Sequence, residues 1–269
     1  MAHSIIKQLE ELRELNPLVH NITNLVVMNN TANALLALGA SPVMAHSPAE
    51  VKNVVEISKS LVINIGTLSA SWIESMYQAA SHATTVGCPW VLDPVGAGIS
   101  ALRNDALQQL LNLRPTVIRG NASEILALAG FSQATTKGVD STAHSSTALQ
   151  AAIKLQNSYN AIICVSGEID YIVSANEIIE VHNGHIMMTK VTGLGCTSSA
   201  LIGAFLGLRN DTVEETIAGV AVLSLTGELA ARTAKGPGSL QMHLLDALYN
   251  LDTPTLQREL SIQRYARRD

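Results

Sequence analysis

Gly193-Leu194-Gly195-Cys196 is the stretch of this sequence best suited to chemistry. It follows a strand-like run from Glu180-Val181-His182 to Met187-Met188. It opens a helix of small residues, Thr197-Ser198-Ser199-Ala200-Leu201 to Leu208. A glycine turn feeding a helix start gathers free backbone N–H groups, and the helix dipole adds positive potential there. Such a turn suits a phosphoryl group in transit. A thiol in the first helical turn is expected to acidify and to take a proton from an alcohol. Gly193, Leu194 and Gly195 are therefore the candidate anion hole and Cys196 the candidate base, for phosphoryl transfer to a small hydroxyl compound. A cysteine among small apolar residues also packs as an ordinary core residue, and that reading stays open.

Five further loops carry polar or glycine residues at the ends of apolar runs: Thr23-Asn24, Asn64-Gly66-Thr67, Asp93-Gly96-Gly98, Arg119-Asn121-Glu124 and Ser166-Gly167-Glu168. Each alone reads as turn chemistry. Five on one edge, together with the Gly-Leu-Gly-Cys turn, point to a site. Asp93 before Pro94 reads as a loop cap or as a carboxylate holding Mg²⁺ directly or through water. Asn121 with Glu124 three residues on fits a capping box; the same pair could face a metal-bound water beside phosphates. Arg119 could pair locally or clamp nucleotide phosphate. Ser166-Gly167 could meet the triphosphate. Met44 reads as packing or as a soft wall for a heteroaromatic ring. His20, His46 and His185 follow no metal spacing and read as core or loop histidines. No Walker A pattern and no protein-kinase signature occurs, so the phosphate cradle is of another kind.

The elements that must position these residues follow from periodicity. A helix is expected over 4–15 and a strand over 17–22, with Thr23-Asn24 capping a helix that runs to Leu38 and ends at Gly39. Ser41 to Ala45 reads as a short strand or loop and 49–59 as a helix. Then come strand 61–67, helix 70–84, strand 89–93 running into its glycine loop, helix 103–112, strand 116–119 and helix 124–129. Helix 146–156, strand 161–165 and a hairpin of 170–174 with 178–182 follow, and helices 196–208, 212–233 and 239–250 close the chain. Strands alternating with helices argue for an α/β fold: a mainly parallel sheet with helices on both faces, in a single domain over 1–269.

Composition agrees. The chain has 269 residues, 47% of them apolar and only 14% charged, which implies an extensive core and subunit interfaces. With a net charge of −5 and no basic stripe, nucleic acid is not an expected partner. Arg264, Arg267 and Arg268 read as a solvated basic helix end. Cys88, Cys164 and Cys196 make neither a disulfide framework nor a metal pattern. No signal-peptide core and no membrane-length apolar run is seen, so no membrane partner and a cytoplasmic location are expected.

Taken together and in order, these loops resemble those of the hydroxyethylthiazole kinases of thiamin salvage, within the ribokinase-like superfamily. The resemblance covers nearly the whole chain. It rests on His20-Asn21-Ile22-Thr23-Asn24, Ala32-Asn33, Gly39-Ala40-Ser41-Pro42-Val43-Met44, Asn64-Ile65-Gly66-Thr67 and Leu92-Asp93-Pro94-Val95-Gly96-Ala97-Gly98. Ile118 to Glu124, Lys137-Gly138-Val139-Asp140, Gly193 to Cys196 and Gly236-Pro237-Gly238-Ser239 complete it. It implies Mg²⁺- and ATP-dependent phosphorylation of 4-methyl-5-(2-hydroxyethyl)thiazole, with Cys196 where related sugar kinases carry an aspartate base. It puts thiazole contacts on Met44 and Gly193, to which Asn24 and Gly66 are added. ATP contacts fall on Arg119 and Ser166 (threonine is more usual there), with Asn121 beside them, and the metal region falls on Asp93 and Glu124. It also implies a homotrimer with the thiazole pocket between subunits. Leu194 departs from the threonine common between the two glycines, which keeps the N–H groups and is expected to alter the pocket wall; Thr197-Ser198 replaces bulkier residues. Three rivals remain open: a kinase for the pyrimidine half of thiamin, an ATP-dependent dehydratase of hydrated nicotinamide nucleotides, and a non-catalytic binder.

Overall fold

The structure, a computed structural model, describes residues 2–130 and 141–267, with 141–145 described by backbone alone. The Lys137-Gly138-Val139-Asp140 motif and Arg268 lie outside the described residues. In chain order the strands are β1 (Leu18–Ile22), β2 (Ser41–Val43), β3 (Ser60–Asn64), β4 (Trp90–Asp93), β5 (Val117–Asn121), β6 (Ile162–Ser166), β7 (Asp170–Val173), β8 (Glu177–Val181) and β9 (Ile262–Ala266). The helices are α1 (Ala2–Leu15), α2 (Met28–Leu38), α3 (Val51–Ile57), α4 (Ala70–Val86), α5 (Ala101–Leu111), α6 (Ala122–Leu128), α7 (Ser141–Tyr159), α8 (Leu194–Leu206), α9 (Thr212–Thr233), α10 (Pro237–Asn250) and α11 (Thr253–Glu259).

Among the described residues the nine strands join one sheet in the order β2-β1-β3-β4-β5-β6-β7-β8-β9. β2 through β6 are parallel, and β7, β8 and β9 add an antiparallel edge. The expected α/β architecture is therefore present. The chain leaves β1 for β2 on one side and β3 on the other. That reversal is a topological switch point, where parallel sheets open a crevice beyond the strand ends.

Successive strand residues face opposite sides of a sheet. Val62, Val91 and Val117 pack with Leu201 and Phe205 of α8 and with residues of α1, α2, α9 and α10. Their neighbours Leu61, Ile63, Trp90, Leu92 and Ile118 pack on the other face with Met76, Leu107 and Leu155 of α4, α5 and α7. Two steps on from the first set stand Asn64, Asp93 and Arg119. The pattern that builds the core thus delivers these three polar residues to the α8 face at the ends of their strands.

α8 comes close enough to meet them because it carries little bulk. A Cβ added at Gly203 would lie 2.5 Å from Val62 Cγ2, and one at Gly219 of α9 would lie 2.5 Å from Ile202 Cα. Neither position has room for a methyl group.

Several expectations are corrected. Thr23-Asn24 does not cap α2, which starts at Met28 behind Val27 with no side-chain cap; Asn24 turns inward instead. Gly39 does end that helix, in the left-handed region at φ 112°. The strand-like run before Gly193 stops at Val181, and Ile186–Lys190 is a 3₁₀ helix. The chain does not close on helices alone: α11 and β9 follow α10. Arg264 is consequently on an edge strand, paired with Glu177 and Glu214 at 2.6 Å each, rather than on a solvated helix end.

Gly219→Ala should destabilise the fold by about 1–3 kcal/mol, because the new methyl meets backbone rather than a yielding side chain. Gly238→Ala in α10, where no atom lies within 4 Å, is the control and should stay within about 0.5 kcal/mol. Urea midpoints measure both, and equal midpoints would contradict the close α8–α9 contact.

Candidate active site

The Gly193 turn has the geometry expected of it. Gly193 is the N-cap of α8 at φ 83°, in the left-handed region, and offers no side-chain cap. A Cβ there would also lie 2.5 Å from Val27 Cγ1, so glycine is required twice over. α8 begins at Leu194, which leaves the N–H groups of its first turn without intrahelical acceptors. The side chain of Leu194 turns into the core, in a small cleft with Ala34, Thr197 and Leu244. Its departure from threonine therefore changes helix packing, not the N–H row. A Cβ at Gly195 would fall 2.6 Å from Arg119 Nη1 and push that guanidinium tip aside. The guanidinium thus lies against the turn.

Beneath the turn runs a buried chain of hydrogen bonds. Asn64 and Asp93 are register partners on β3 and β4. Asn64 Nδ2 donates to Asp93 Oδ2 at 2.7 Å, and Ser199 Oγ of α8 donates to the same oxygen at 2.8 Å. Asn64 Oδ1 accepts from Asn24 Nδ2 at 2.8 Å and from the Gly66 N–H at 2.9 Å. Asn24 Nδ2 also reaches Cys196 Sγ at 3.5 Å. Asp93 is 1% exposed, and its Oδ1 is buried with no partner. Burial pushes its pKa up to about 6, against the opposing pull of Arg119 and the two donors.

The expected acidification of Cys196 does not occur. Burial, reinforced by the charge of Asp93, pushes the thiol up to about 11, although Asn64, Asn24 and Arg119 pull the other way. At neutral pH Cys196 is a thiol.

On the donor side, Asn121 is the N-cap of α6 in a complete capping box. Its Oδ1 accepts from the Glu124 N–H at 3.0 Å, while Glu124 Oε2 accepts from the Asn121 N–H at 2.9 Å. Glu124 Oε1 accepts from the Gly96 N–H at 3.0 Å, so this carboxylate clamps the loop after β4 to the start of α6. The cap is therefore formed, and Asn121 and Glu124 are held at the same strand ends as Asp93 and Arg119. Ser166 Oγ donates weakly to the Gly120 carbonyl at 3.4 Å. Among the described residues no group of three or more His, Cys, Asp or Glu could hold a metal by itself. The bare Oδ1 of Asp93 fits a cation whose other ligands come from phosphate and water.

On the acceptor side, Gly66 has no room for a side chain, since a Cβ would meet Asn24 Nδ2 at 2.6 Å. The Leu25 N–H donates to Thr67 Oγ1 at 3.0 Å, joining the loops after β1 and β3. Met44 lies half-buried just past β2, next to the end of β1. His20 is buried and donates from Nε2 to the Ala45 carbonyl at 2.8 Å; burial drops its pKa to about 4, so it is neutral. His46 stacks on Trp72 with ring centroids 4.4 Å apart, and His185 caps the 3₁₀ helix. The three histidines thus have separate packing and hydrogen-bond partners.

Three side chains that tie the candidate site together are not marked by local sequence pattern. Asn64 was seen only as part of a loop, and Ser199 as a small helix residue. Arg103 was not singled out at all. It binds the carbonyls of Ile65 and Val95 through Nη1 at 2.5 and 2.7 Å and that of Gly66 through Nη2 at 2.8 Å, tying the acceptor and donor loops together. A cavity of about 610 Å³ lined by Glu10, Glu11, Glu14, Asp211 and Glu214 lies away from this edge, and its carboxylates would repel a polyphosphate.

Known proteins resemble this chain along nearly all its length. Residues 9–254 match the model of the hydroxyethylthiazole kinase family. The hydroxyethylthiazole kinase of Syntrophus aciditrophicus is 52% identical over 252 residues, 93% of each chain. That of Vibrio parahaemolyticus is 50% identical over 264 residues, covering 98% of this chain and 99% of its own. The solved structure of the Pyrococcus horikoshii hydroxyethylthiazole kinase superposes with a TM-score of 0.90 at 38% identity, over 97% of this chain and 98% of that one. Pyridoxal kinase from Staphylococcus aureus, solved with AMP-PCP, shares the fold at a TM-score of 0.62 and 13% identity, over 93% of this chain and 98% of that one.

The buried carboxylate sets a pH dependence. Its folded-state pKa is raised from 3.8 to about 6, so the native state holds the proton more tightly than the unfolded chain. The stability tied to that proton is full below about pH 4 and is lost as the pH rises through about 6. Asp93→Asn keeps an acceptor for Asn64 and Ser199 without the charge. Without Mg²⁺ or nucleotide, it should gain about 2 kcal/mol on the wild type between pH 4 and pH 7. Paired denaturation curves at the two pH values measure this, and parallel pH profiles would sink the assignment.

Proposed function

We propose that this chain, which belongs to the hydroxyethylthiazole kinase family, transfers the γ-phosphoryl group of ATP to the hydroxyl of 4-methyl-5-(2-hydroxyethyl)thiazole in thiamin metabolism, as one kinase domain over 1–269. The observation that carries this reading is the Gly193–Gly195 turn with Arg119 packed against Gly195 and the Asp93 carboxylate buried beneath. A row of N–H groups, a guanidinium and a carboxylate with one bare oxygen is the donor set for a phosphoryl group in flight.

In this reading the acceptor lies between Met44, Asn24, Gly66 and Gly193, with its hydroxyl toward Cys196. ATP lies along Arg119, Asn121 and Ser166. The hydroxyl oxygen bonds to the γ-phosphorus as the bond to the β–γ bridging oxygen breaks; the hydroxyl proton passes to a phosphoryl oxygen and from there to water, and ADP leaves. Mg²⁺ would neutralise phosphate charge, held by Asp93 and by Glu124 directly or through water. Arg119 and the first-turn N–H groups of α8 hold the equatorial oxygens. With its pKa near 11, the Cys196 thiol orients the hydroxyl more than it removes the proton. A loose transition state needs little base assistance, so this costs little rate.

A homotrimer with the thiazole pocket at the subunit interface belongs to the same reading. Leu25 and Val26 support it: they stand 68% and 62% exposed beside Asn24, at the mouth of the acceptor side. A cytoplasmic location accompanies it; among the described residues no helix is long and apolar enough to cross a membrane.

ADP release from Mg²⁺–ATP should depend on the thiazole and yield its phosphate ester by mass. Free phosphate with a dehydrated product would replace the kinase by the lyase, and ADP that appears equally without thiazole would remove the acceptor. Cys196→Ala should retain measurable turnover, losing at most about a hundredfold, the low end of what a general base supplies. Arg119→Ala should lose more. A well-folded Cys196→Ala that binds ATP and is wholly inactive would contradict the thiol's minor role.

A further inference from the structure

The parallel pairing of β3 with β4 ends at Asn64 and Asp93, and one further main-chain bond follows, from the Ile65 N–H to the Asp93 carbonyl at 3.2 Å. Beyond it the chain of β3 enters the acceptor loop with Gly66, and that of β4 enters the donor loop with Gly96. Arg103 joins the two. Its Nη1 carries two N–H groups, and their acceptors lie in different loops: the Ile65 carbonyl at 2.5 Å and the Val95 carbonyl at 2.7 Å. Nη2 adds the Gly66 carbonyl at 2.8 Å.

The two peptide units that Nη1 grips are also held from behind. The Ile65 carbonyl and the Gly66 N–H belong to one planar unit, as do the Val95 carbonyl and the Gly96 N–H, and in a trans peptide the two groups point opposite ways. The Gly66 N–H donates to Asn64 Oδ1, and the same amide donates to Asp93. The Gly96 N–H donates to Glu124 Oε1 at 3.0 Å. A continuous chain of hydrogen bonds therefore runs from Asp93 through Asn64, peptide 65–66, Arg103 and peptide 95–96 to Glu124. Its ends are the two carboxylates proposed to hold Mg²⁺. α5 itself gains nothing from this arginine, which stands in its first turn behind the Ser100 cap, where the helix dipole disfavours a cation. A single carbonyl would be satisfied by any donor; three carbonyls in two loops match a planar fork. The next residue, Asn104, accepts from the Gly98 N–H at 2.9 Å and so stays within the donor loop.

We propose that Arg103 is a positioning residue for phosphoryl transfer: it fixes the gap between the acceptor and donor loops, so that the hydroxyl and the γ-phosphate meet at reacting distance. Without it each loop keeps the contacts to its own ligand, and their mutual placement is lost. Misplacement by about 1 Å can cost a hundredfold in rate. This inference rests on the reading of these strand ends as the thiazole kinase site.

The test compares Arg103→Met, Arg103→Lys and Asn104→Ala by thiazole-dependent turnover, by calorimetric affinity for Mg²⁺–ADP and for the thiazole separately, and by amide hydrogen exchange. Arg103→Met should lower kcat about 10- to 100-fold while its affinity for each ligand stays within about threefold of the wild type. Exchange should quicken together in segments 64–67 and 94–98, the two loops that the guanidinium joins. Arg103→Lys keeps a cationic donor on a shorter arm without the fork, so its kcat should lie between those of Arg103→Met and the wild type. If Arg103→Met does not fold, Arg103→Lys carries the test, with kcat lowered and both affinities held. Asn104→Ala should keep kcat within about threefold and quicken exchange in the donor loop alone. Unchanged exchange or unchanged kcat in the Arg103 variants, a loss of kcat matched by lost affinity for either ligand, or an equal loss in Asn104→Ala overturns the positioning role and leaves the kinase reading intact. A wild type without thiazole-dependent ADP release removes the reaction, and the positioning role with it, whatever the exchange shows.

Discussion

A carboxylate buried at the end of β4 is the constraint around which this molecule is arranged. Asp93 is 1% exposed, and an uncompensated charge there would cost several kcal/mol. Two donors converge on its Oδ2, one from β3 and one from α8. Hydrogen bonds to a charged group contribute about 1.5–3 kcal/mol each, enough to offset much of the desolvation. Those bonds also set geometry. Asn64 can serve Asp93 only in the β3–β4 register observed, and Ser199 only if α8 lies across the strand ends. Through Asn64 the same network reaches Asn24 and Gly66, so the loops that follow β1 and β3 hang from one carboxylate.

The thiol shows which of two effects wins at the start of α8. A helix N-terminus favours a negative charge by about 0.3–1 kcal/mol, up to ~2 when partly buried, which is one to two pKa units at most. Burial and the charge of Asp93 act the other way, and the thiol stands at about 11. Acidified cysteines at helix starts need water or a cation close to the sulfur. Here Arg119 spends its field on Asp93 and Asp170 as well as on Cys196. Burial and the charge of Asp93 keep the cysteine protonated at neutral pH, so it holds no free thiolate to take a proton. The N–H row at the start of α8 has no side-chain cap, whereas the sulfur feels the charge of Asp93.

Much of this was legible in the sequence where local pattern decides. The alternation Val62–Asn64, Val91–Asp93 and Val117–Arg119 places polar residues on the face of their apolar neighbours two positions back, and the glycine turns mark where strands end. Gly39 and the Asn121–Glu124 box were readable because capping is settled within a few residues. Partners distant in the chain were not readable. Asn24 has the type of a helix cap, but its amide binds Asn64, 40 residues away, and that tertiary bond overrides the local preference. Ser199 resembles any small helix residue until α8 is laid over Asp93. β9 was missed because its partner is β8 and its arginine pairs with Glu177 and Glu214, none of them near in sequence.

The position of α8 also explains how a chain without a Walker A loop can handle phosphate. In a P-loop the backbone that wraps the phosphates belongs to the strand–helix unit carrying the lysine. Here the N–H row and the guanidinium come from different units: α8, late in the chain, and β5, in the middle of the sheet. α8 packs on β1 and β3 beside the switch point and on β4 next to them, so its first turn lies where the loops after β1 and β3 meet those after β4 and β5. Helix-terminal potential fades within a single turn, which restricts the anion to that junction. In the proposed reading, a group moving from one set of loops to the other passes the Gly193–Gly195 amides, with the Arg119 guanidinium tip close to Gly195. A Cβ at the second glycine would push the guanidinium tip aside, whereas the first glycine is fixed by Val27 and by its own left-handed φ.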